Sequence, residues 1–320
     1  MSEPDTPSIE KNMSDSNIRA RKGKSIKNHL FVIYGIINAV INGNADCIDL
    51  QVYDIIKCFD ALWLQDCMLD IYQSSSVKDD KLALMYQVNQ TNLVAVKTAQ
   101  GLTERVDIPN IVMQGSTPSG LQCSNSVDTL GKKCMKTGTN QYLYKDMVNV
   151  PPLACVDDLL GVAKCNQDSL NLNIFLTTQI ELKKLKFHVP DKNGKRKCHK
   201  LHIGKKSENC PELKVHNTVM NNVTNVRYLG DIINCEGSNN PNIESRVSKG
   251  LGIITQIMNL LSCVTLGEHY FQIALTLRES MLVNGITTNA EIWYGLSEAQ
   301  IKELETVDKT DIKNSSDNKS

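Results

Sequence analysis

The chain has 320 residues, 41% of them hydrophobic and 22% charged, with 35 basic and 35 acidic side chains. This is the composition of a globular protein with room for one large or two modest domains, and it excludes a disordered or collagen-like chain. The zero net charge does not exclude a nucleic-acid surface, because basic residues are concentrated between Lys183 and Lys206 while the C-terminal part is comparatively acidic.

Eleven cysteines, an odd number with no C-x-x-C pair, read as reduced thiols and favour an intracellular setting, cytoplasm or nucleus. Residues 1–27 contain no apolar signal core. The longest apolar run, 29–41, is too short to span a bilayer, so neither an export signal nor a membrane anchor is expected.

In chain order, residues 1–17 are rich in Ser, Asp, Asn and Pro and read as a disordered tail. Arg19, Arg21, Lys22 and Lys24 form a basic cluster ahead of an apolar helix that ends near Asn42-Gly43-Asn44. The cluster suits a phosphate contact or a solvated helix start equally. Next, residues 47–53 alternate as a strand and put Asp54 at its end, while 61–72 has the apolar content of a buried helix. Asp54 there is placed for a metal ion or for capping the following turn.

After a polar break at 74–81, residues 93–98 and 105–108 read as two strands around a turn containing Gly101. They lead into Met113-Gln114-Gly115-Ser116-Thr117-Pro118-Ser119-Gly120, which cannot continue a strand and forms a loop that a ligand can approach closely. The helix that follows puts Cys123, Val127, Leu130 and Cys134 on one face.

The stretch 153–162, LACVDDLLGV, sets two adjacent carboxylates, Asp157 and Asp158, between two short β-compatible runs. This is the pattern of a buried hairpin with an acidic turn. Two ionised carboxylates held close repel and lose hydration, so such a turn asks for a proton or a metal ion.

A helix over 169–185, with Asp168 as its cap, runs into the basic stretch, where Asn193-Gly194 suits a hairpin turn and Leu201 with Ile203 alternates as a strand. Cys198, His199, His202 and Cys210 fit no common zinc spacing, which leaves a metal-binding structural protein as a remote reading. Residues 226–233 read as one short strand. Apolar stripes over 243–261 and 271–282, and a capping box Ser297-x-x-Gln300, give a helical subdomain over 242–309, followed by a polar, disordered tail over 310–320.

Taken in order, Asp54 with Phe59, then Gln114-Gly115-Ser116, Val156-Asp157-Asp158, the lysine-rich turn and Tyr228-Leu229-Gly230 resemble the successive palm motifs of reverse transcriptases, those of non-LTR, LINE-type retrotransposons above all. The likeness runs from about Arg19 to about Val307. It implies an α+β fold: a right-hand polymerase palm of antiparallel strands packed on helices, with partial fingers, over 18–241, and a helical thumb over 242–309. The chain then reads as N-terminally truncated, starting inside the fingers. The implied activity is RNA-directed DNA synthesis with RNA template, DNA primer and deoxynucleoside triphosphates as partners, and two Mg²⁺ ions, or Mn²⁺, as cofactors.

The resemblance further implies Asp54, Asp157 and Asp158 as catalytic metal ligands and Phe59 as the aromatic residue that senses the nucleotide sugar. Gln114 and Gly115 would contact template and nucleotide, Arg19 and Arg21 the triphosphate, and Lys197 the pyrophosphate side, with Lys195 and Arg196 as rivals. Tyr228, Leu229 and Gly230 would form the primer grip. The alternative reading is an inactive relative that keeps nucleic-acid binding. In the loop after Gln114, Thr117-Pro118-Ser119-Gly120 stands where many relatives have a Pro-Leu-Ser-Pro type run.

Overall fold

The computed structural model describes residues 6–18, 21–43, 47–75, 77–90, 93–108, 112, 119–137, 142–144, 148–164, 166–190, 194, 196–205, 211–262, 269–293 and 295–317. The chain divides into two compact units, Met1–Thr224 and Asn225–Ser320. Each has its own apolar core.

The first unit opens with α1 (Thr6–Asn12) and α2 (Ile26–Ile41). Residues 6–18 are therefore no disordered tail. Ile9 and Met13 are buried, and the polar residues that suggested disorder make long-range bonds instead: the Asn17 side-chain amide donates to the Ser124 carbonyl at 2.6 Å and the Ser14 backbone N–H to Asp128 at 3.0 Å. α2 ends at Asn42, as its sequence predicts, and begins with a capping box at Ser25 that was not foreseen.

β1 (Ile48–Asp54) ends on Asp54. The helix expected over 61–72 is two helices, α3 (Cys58–Ala61) and α4 (Leu64–Ser74), because Trp63 takes an extended backbone between them. The break at 74–81 is shorter than expected, since α5 (Asp79–Gln90) already begins at Asp79. The next strands form two small antiparallel ladders, β2 (Leu93–Val94) with β5 (Val106–Asp107) and β3 (Lys97–Thr98) with β4 (Gly101–Leu102).

α6 (Ser119–Thr137) buries Cys123, Val127, Leu130 and Cys134, the predicted stripe. It is followed by the pair β6 (Tyr142–Tyr144) and β7 (Val148–Val150), then by β8 (Leu153–Cys155) and β9 (Asp158–Lys164). α7 (Gln167–Leu182) has Asn166, not Asp168, at its N-cap. β10 (His199–Ile203), the hairpin β11 (Lys214–Val215) and β12 (Thr218–Val219), and β13 (Asn221–Val223) complete the unit.

The fold is mixed α+β. Its main sheet runs β13-β10-β1-β9-β8, antiparallel except for the β10–β13 pair. Alternation along β1 divides its side chains between two faces. Asp49, Gln51 and Tyr53 point to the α7 side, where the Gln51 amide donates to the Ser169 carbonyl at 2.7 Å and the Asn173 amide to the Tyr53 hydroxyl at 2.8 Å. Gly161 keeps that layer close, because a Cβ there would lie 2.8 Å from Leu172 Cδ2. Ile48, Leu50, Val52 and Asp54 point to the other face, and α2 packs on β10.

The second unit begins with β14 (Asn225–Tyr228) and β15 (Asp231–Asn234). The segment read as one strand is thus a hairpin, turning at Leu229 (φ 48°) and Gly230 (φ 88°). The division between units falls ahead of this hairpin, which groups with the helices. Those are α8 (Asn240–Ser262), α9 (Tyr270–Leu277), continued by a π-helical stretch Arg278–Val283 and α10 (Asn284–Thr287), and α11 (Glu298–Asp317). The capping box forms as expected: the Ser297 N–H donates to Gln300 Oε1 at 2.9 Å and the Gln300 N–H to Ser297 Oγ at 3.3 Å. α11 continues to Asp317, so most of the segment read as a disordered tail is helical.

Candidate active site

Antiparallel register brings the acidic residues together. Asp54, last in β1, stands directly opposite Asp158, first in β9. Cys155 pairs with Asp158, which leaves Val156 and Asp157 as a two-residue turn. The Ile55 N–H donates to the Asp157 carbonyl at 3.1 Å, so that turn is tied to the chain leaving β1.

Val156 has φ 62°. A positive φ at the first of two central residues is the type II′ arrangement, which suits glycine. A β-branched residue there is held against its preference at a cost of roughly 1–3 kcal/mol. It is buried among core residues, which fix it.

On the other side of β1, Val52 pairs with His199 of β10. Two residues further on the same face, the Lys197 ammonium lies 3.1 Å from both carboxylate oxygens of Asp54. Asp158, Asp54 and Lys197 thus form one row across three adjacent segments, two carboxylates and a cation. Beyond this row the neighbour of β1 changes: the His188 N–H donates to the Asp54 carbonyl at 2.8 Å and the Ile56 N–H to the Lys186 carbonyl at 2.9 Å.

Burial pushes the Asp158 carboxyl up to about 6, with the negative charges of Asp157 and Asp54 adding to it and Lys197 opposing. Among the described residues, no three His, Cys, Asp or Glu side chains already converge as a metal cage; the Asp54 carboxylate is turned to Lys197 instead. The zinc reading gains no support in these residues, since His202 Nδ1 lies 2.9 Å from Asp49. Cys210 lies outside the described residues. Seven described cysteines are free thiols, but Cys47 is disulfide-bonded, which corrects the reading of all as reduced.

Phe59 lies on α3 and packs half-buried against the main core. Arg19, Gln114, Gly115 and Lys195 lie outside the described residues. The Arg21 guanidinium donates to the carbonyls of Ser14 at 2.6 Å and Asn17 at 2.9 Å, which gives it a structural occupation that its sequence context did not suggest. With Lys22, Lys24, Ser25 and Cys155 it also lines a cavity of about 400 Å³, and Cys155 is two residues from Asp157. Arg196 donates to the Val219 carbonyl at 2.9 Å and to Asn221 Oδ1 at 2.7 Å.

Not all of the basic stretch is surface. Lys200 is 1% exposed and lies 2.9 Å from the buried Asp49, on the α7 face of the sheet. Tyr228 is buried in the second unit, where the Gly230 carbonyl accepts from Arg246 at 3.2 Å. The row made with Lys197 was not foreseen as a row; only the pairing register reveals it.

The class these features define is a mixed α+β protein with an acidic site at the end of a central strand. No family model and no curated protein matches the chain. Solved structures similar to it include telomerase from Candida tropicalis in complex with a TWJ fragment of telomeric RNA, at 15% identity and TM-score 0.48, over 89% of this chain and 43% of that one. Telomerase from Candida albicans with a TWJ fragment matches at 12% identity and TM-score 0.43, over 90% and 47%. The apo Candida tropicalis enzyme truncated from its C-terminal domain matches at 16% identity and TM-score 0.44, over 66% and 39%. The chain therefore spans less than half the length of each. Likeness at this level fixes neither family nor activity. Among the described residues no helix is long and apolar enough to cross a membrane.

Proposed function

We propose that the chain is the palm-centred part of an RNA-directed DNA polymerase of the LINE retrotransposon type, copying an RNA template from a DNA primer with deoxynucleoside triphosphates. The observation that carries this reading is the row Asp158, Asp54, Lys197 across the sheet, with Asp157 in the adjoining turn. A palm of this kind needs hard anionic ligands at a strand end and a cation for the phosphate side, and these side chains supply both.

The donor set fits magnesium. Three carboxylates are hard oxygen ligands that leave positions for water and phosphate, and the Asp158 carboxyl, raised by burial first and by the charges of Asp157 and Asp54 second, would be held ionised by a divalent cation. Asp54, Asp157 and Asp158 would hold it. A pair of such ions, held by these carboxylates, would supply activation of the primer 3′-hydroxyl and charge stabilisation for the departing pyrophosphate. Lys197 keeps a positive charge at Asp54 and offers its ammonium to the pyrophosphate side. Phe59 offers a 2′-hydroxyl no hydrogen bond. At the cavity lined by Arg21, Lys22 and Lys24, where Lys24 and Arg21 already pair with Asp15, Lys22 would offer its charge to a triphosphate beside the hairpin, and Gln114 with Gly115 would meet template and nucleotide.

The test is extension of a DNA primer on an RNA template with Mg²⁺, which Asp157→Asn should abolish without unfolding the chain. A second reading, an inactive relative that still binds nucleic acid, is favoured by one observation: Lys197 already neutralises Asp54. Salt-sensitive RNA binding without extension selects it.

A further inference from the structure

We propose that His29 is a positioning residue for the hairpin that carries Asp157 and Asp158, acting through the carbonyl of Ser16. The inference rests on the polymerase reading only for its catalytic consequence. The hairpin's outer strand, β8, does not end in an open edge: residues 16–18 run beside it. The Ala154 N–H donates to the Ser16 carbonyl at 2.8 Å, and the Ile18 N–H returns to the Ala154 carbonyl at 3.3 Å. Asn17 forms a parallel bridge with Ala154.

This edge segment is too short to set its own height. His29, 2% exposed on α2, supplies a fixed point, with Nε2 2.9 Å from the Ser16 carbonyl oxygen. A carbonyl only accepts, so Nε2 carries the hydrogen. Burial lowers the ring's pKa to about 4 although the bond to Ser16 pulls the other way, so the ring is neutral near pH 7. The Ser16 oxygen thus accepts two N–H groups, one from α2 and one from Ala154, three residues before Asp157.

This second bond is not needed to satisfy the carbonyl. Without His29 the Ser16 oxygen keeps the Ala154 N–H, so this buried acceptor is not orphaned. What His29 adds is direction. It locks the edge of the hairpin to the helix that packs on β10, and so holds Asp157 and Asp158 against the Asp54 strand.

The test uses the full chain, with His29→Leu removing the donor and His29→Gln restoring an N–H of similar reach. Amide hydrogen exchange at Ala154 and single-nucleotide incorporation on a primer–RNA template are measured together with the denaturation midpoint. For His29→Leu we expect exchange at Ala154 about tenfold faster and kcat about tenfold lower, with the KM for the nucleotide and the midpoint near wild type; His29→Gln should return both towards wild type. Unchanged exchange at Ala154, an equal rise throughout the protein, a Gln variant as impaired as the Leu variant, or faster exchange with an unaltered kcat overturns the proposal. If the wild-type chain incorporates no nucleotide, the polymerase reading fails, and exchange alone decides whether His29 holds the hairpin.

Discussion

Asp231 offers the sharpest test of how the second unit is held. Its carboxylate is fully buried, and it accepts from Arg246 Nη2 at 3.3 Å, Asn289 Nδ2 at 2.9 Å and Trp293 Nε1 at 2.9 Å. Arg246 is itself buried and also donates to the carbonyls of Gly230 at 3.2 Å and Gly285 at 3.4 Å. One ion pair therefore joins β15, α8 and the segment after α10. Asp231→Ala leaves a guanidinium in the interior without its counter-charge, and breaking a buried pair from one side costs about 3–5 kcal/mol. The double variant Asp231→Leu with Arg246→Met removes both charges and should recover most of that loss, because well-packed apolar replacements of buried pairs are often neutral.

The assay follows from the chain's two tryptophans. Trp63 is half exposed and Trp293 is buried against Asp231, so a Trp63→Phe background makes Trp293 the reporter of the second unit. With an m-value of about 2 kcal/mol/M in urea, the Asp231→Ala loss moves the Trp293 transition down by roughly 2 M. A shift worth less than about 1 kcal/mol, the size of an ordinary hydrogen bond, would refute the reasoning. So would a double variant as unstable as the single one, since the cost would then not lie in the orphaned charge.

Other outcomes can be stated briefly. His29 is held neutral with its pKa at about 4 in the fold, below its unfolded value, so the unfolded chain binds the extra proton first. Stability should be full above pH 6.5 or so and fall as pH drops towards 4, by about 3 kcal/mol in all, and a pH series of denaturation curves on wild type and His29→Gln checks it. Gly161→Ala places a Cβ 2.8 Å from Leu172 Cδ2 and 3.4 Å from Leu176 Cδ1, and both leucines are buried. Overpacking of that layer should cost about 1–3 kcal/mol, read from thermal unfolding. Lys197→Met removes the cation that competes for Asp54, so calorimetric titration should show tighter Mn²⁺ binding while primer extension falls; unchanged affinity would refute the competition.

Where one local pattern decides the outcome, the sequence already displays it. β1, the β8–β9 hairpin, the buried stripe of α6 and the Ser297 capping box all formed where alternation, spacing or capping chemistry put them. Two of the misses share a cause, partners distant in sequence. The polar residues before Ile18 look like a tail until Ser124 and Asp128 accept their hydrogen bonds. Lys200 looks like part of a basic surface until Asp49 is found buried opposite it. The β14–β15 hairpin escaped notice because its first turn residue is Leu229, whose positive φ no composition rule announces.

The aspartates depend on register in a way that sharpens what the site can tolerate. Side chains alternate across a strand, so a slip of one residue between β1 and β9 would carry Asp54 to the α7 face and leave Asp158 alone. One backbone bond resists that slip near the site, Ile55 to Asp157, while two more, His188 to Asp54 and Ile56 to Lys186, fix the same stretch against the segment on its other side. The last two lie beyond the end of β10, where the strand would otherwise have an open edge. Val156, held at a positive φ, stores strain in the turn itself. That strain persists only while the neighbouring packing over-determines the turn. The placement of the carboxylates is therefore a property of the whole sheet and of the segment at residues 16–18 that closes its edge.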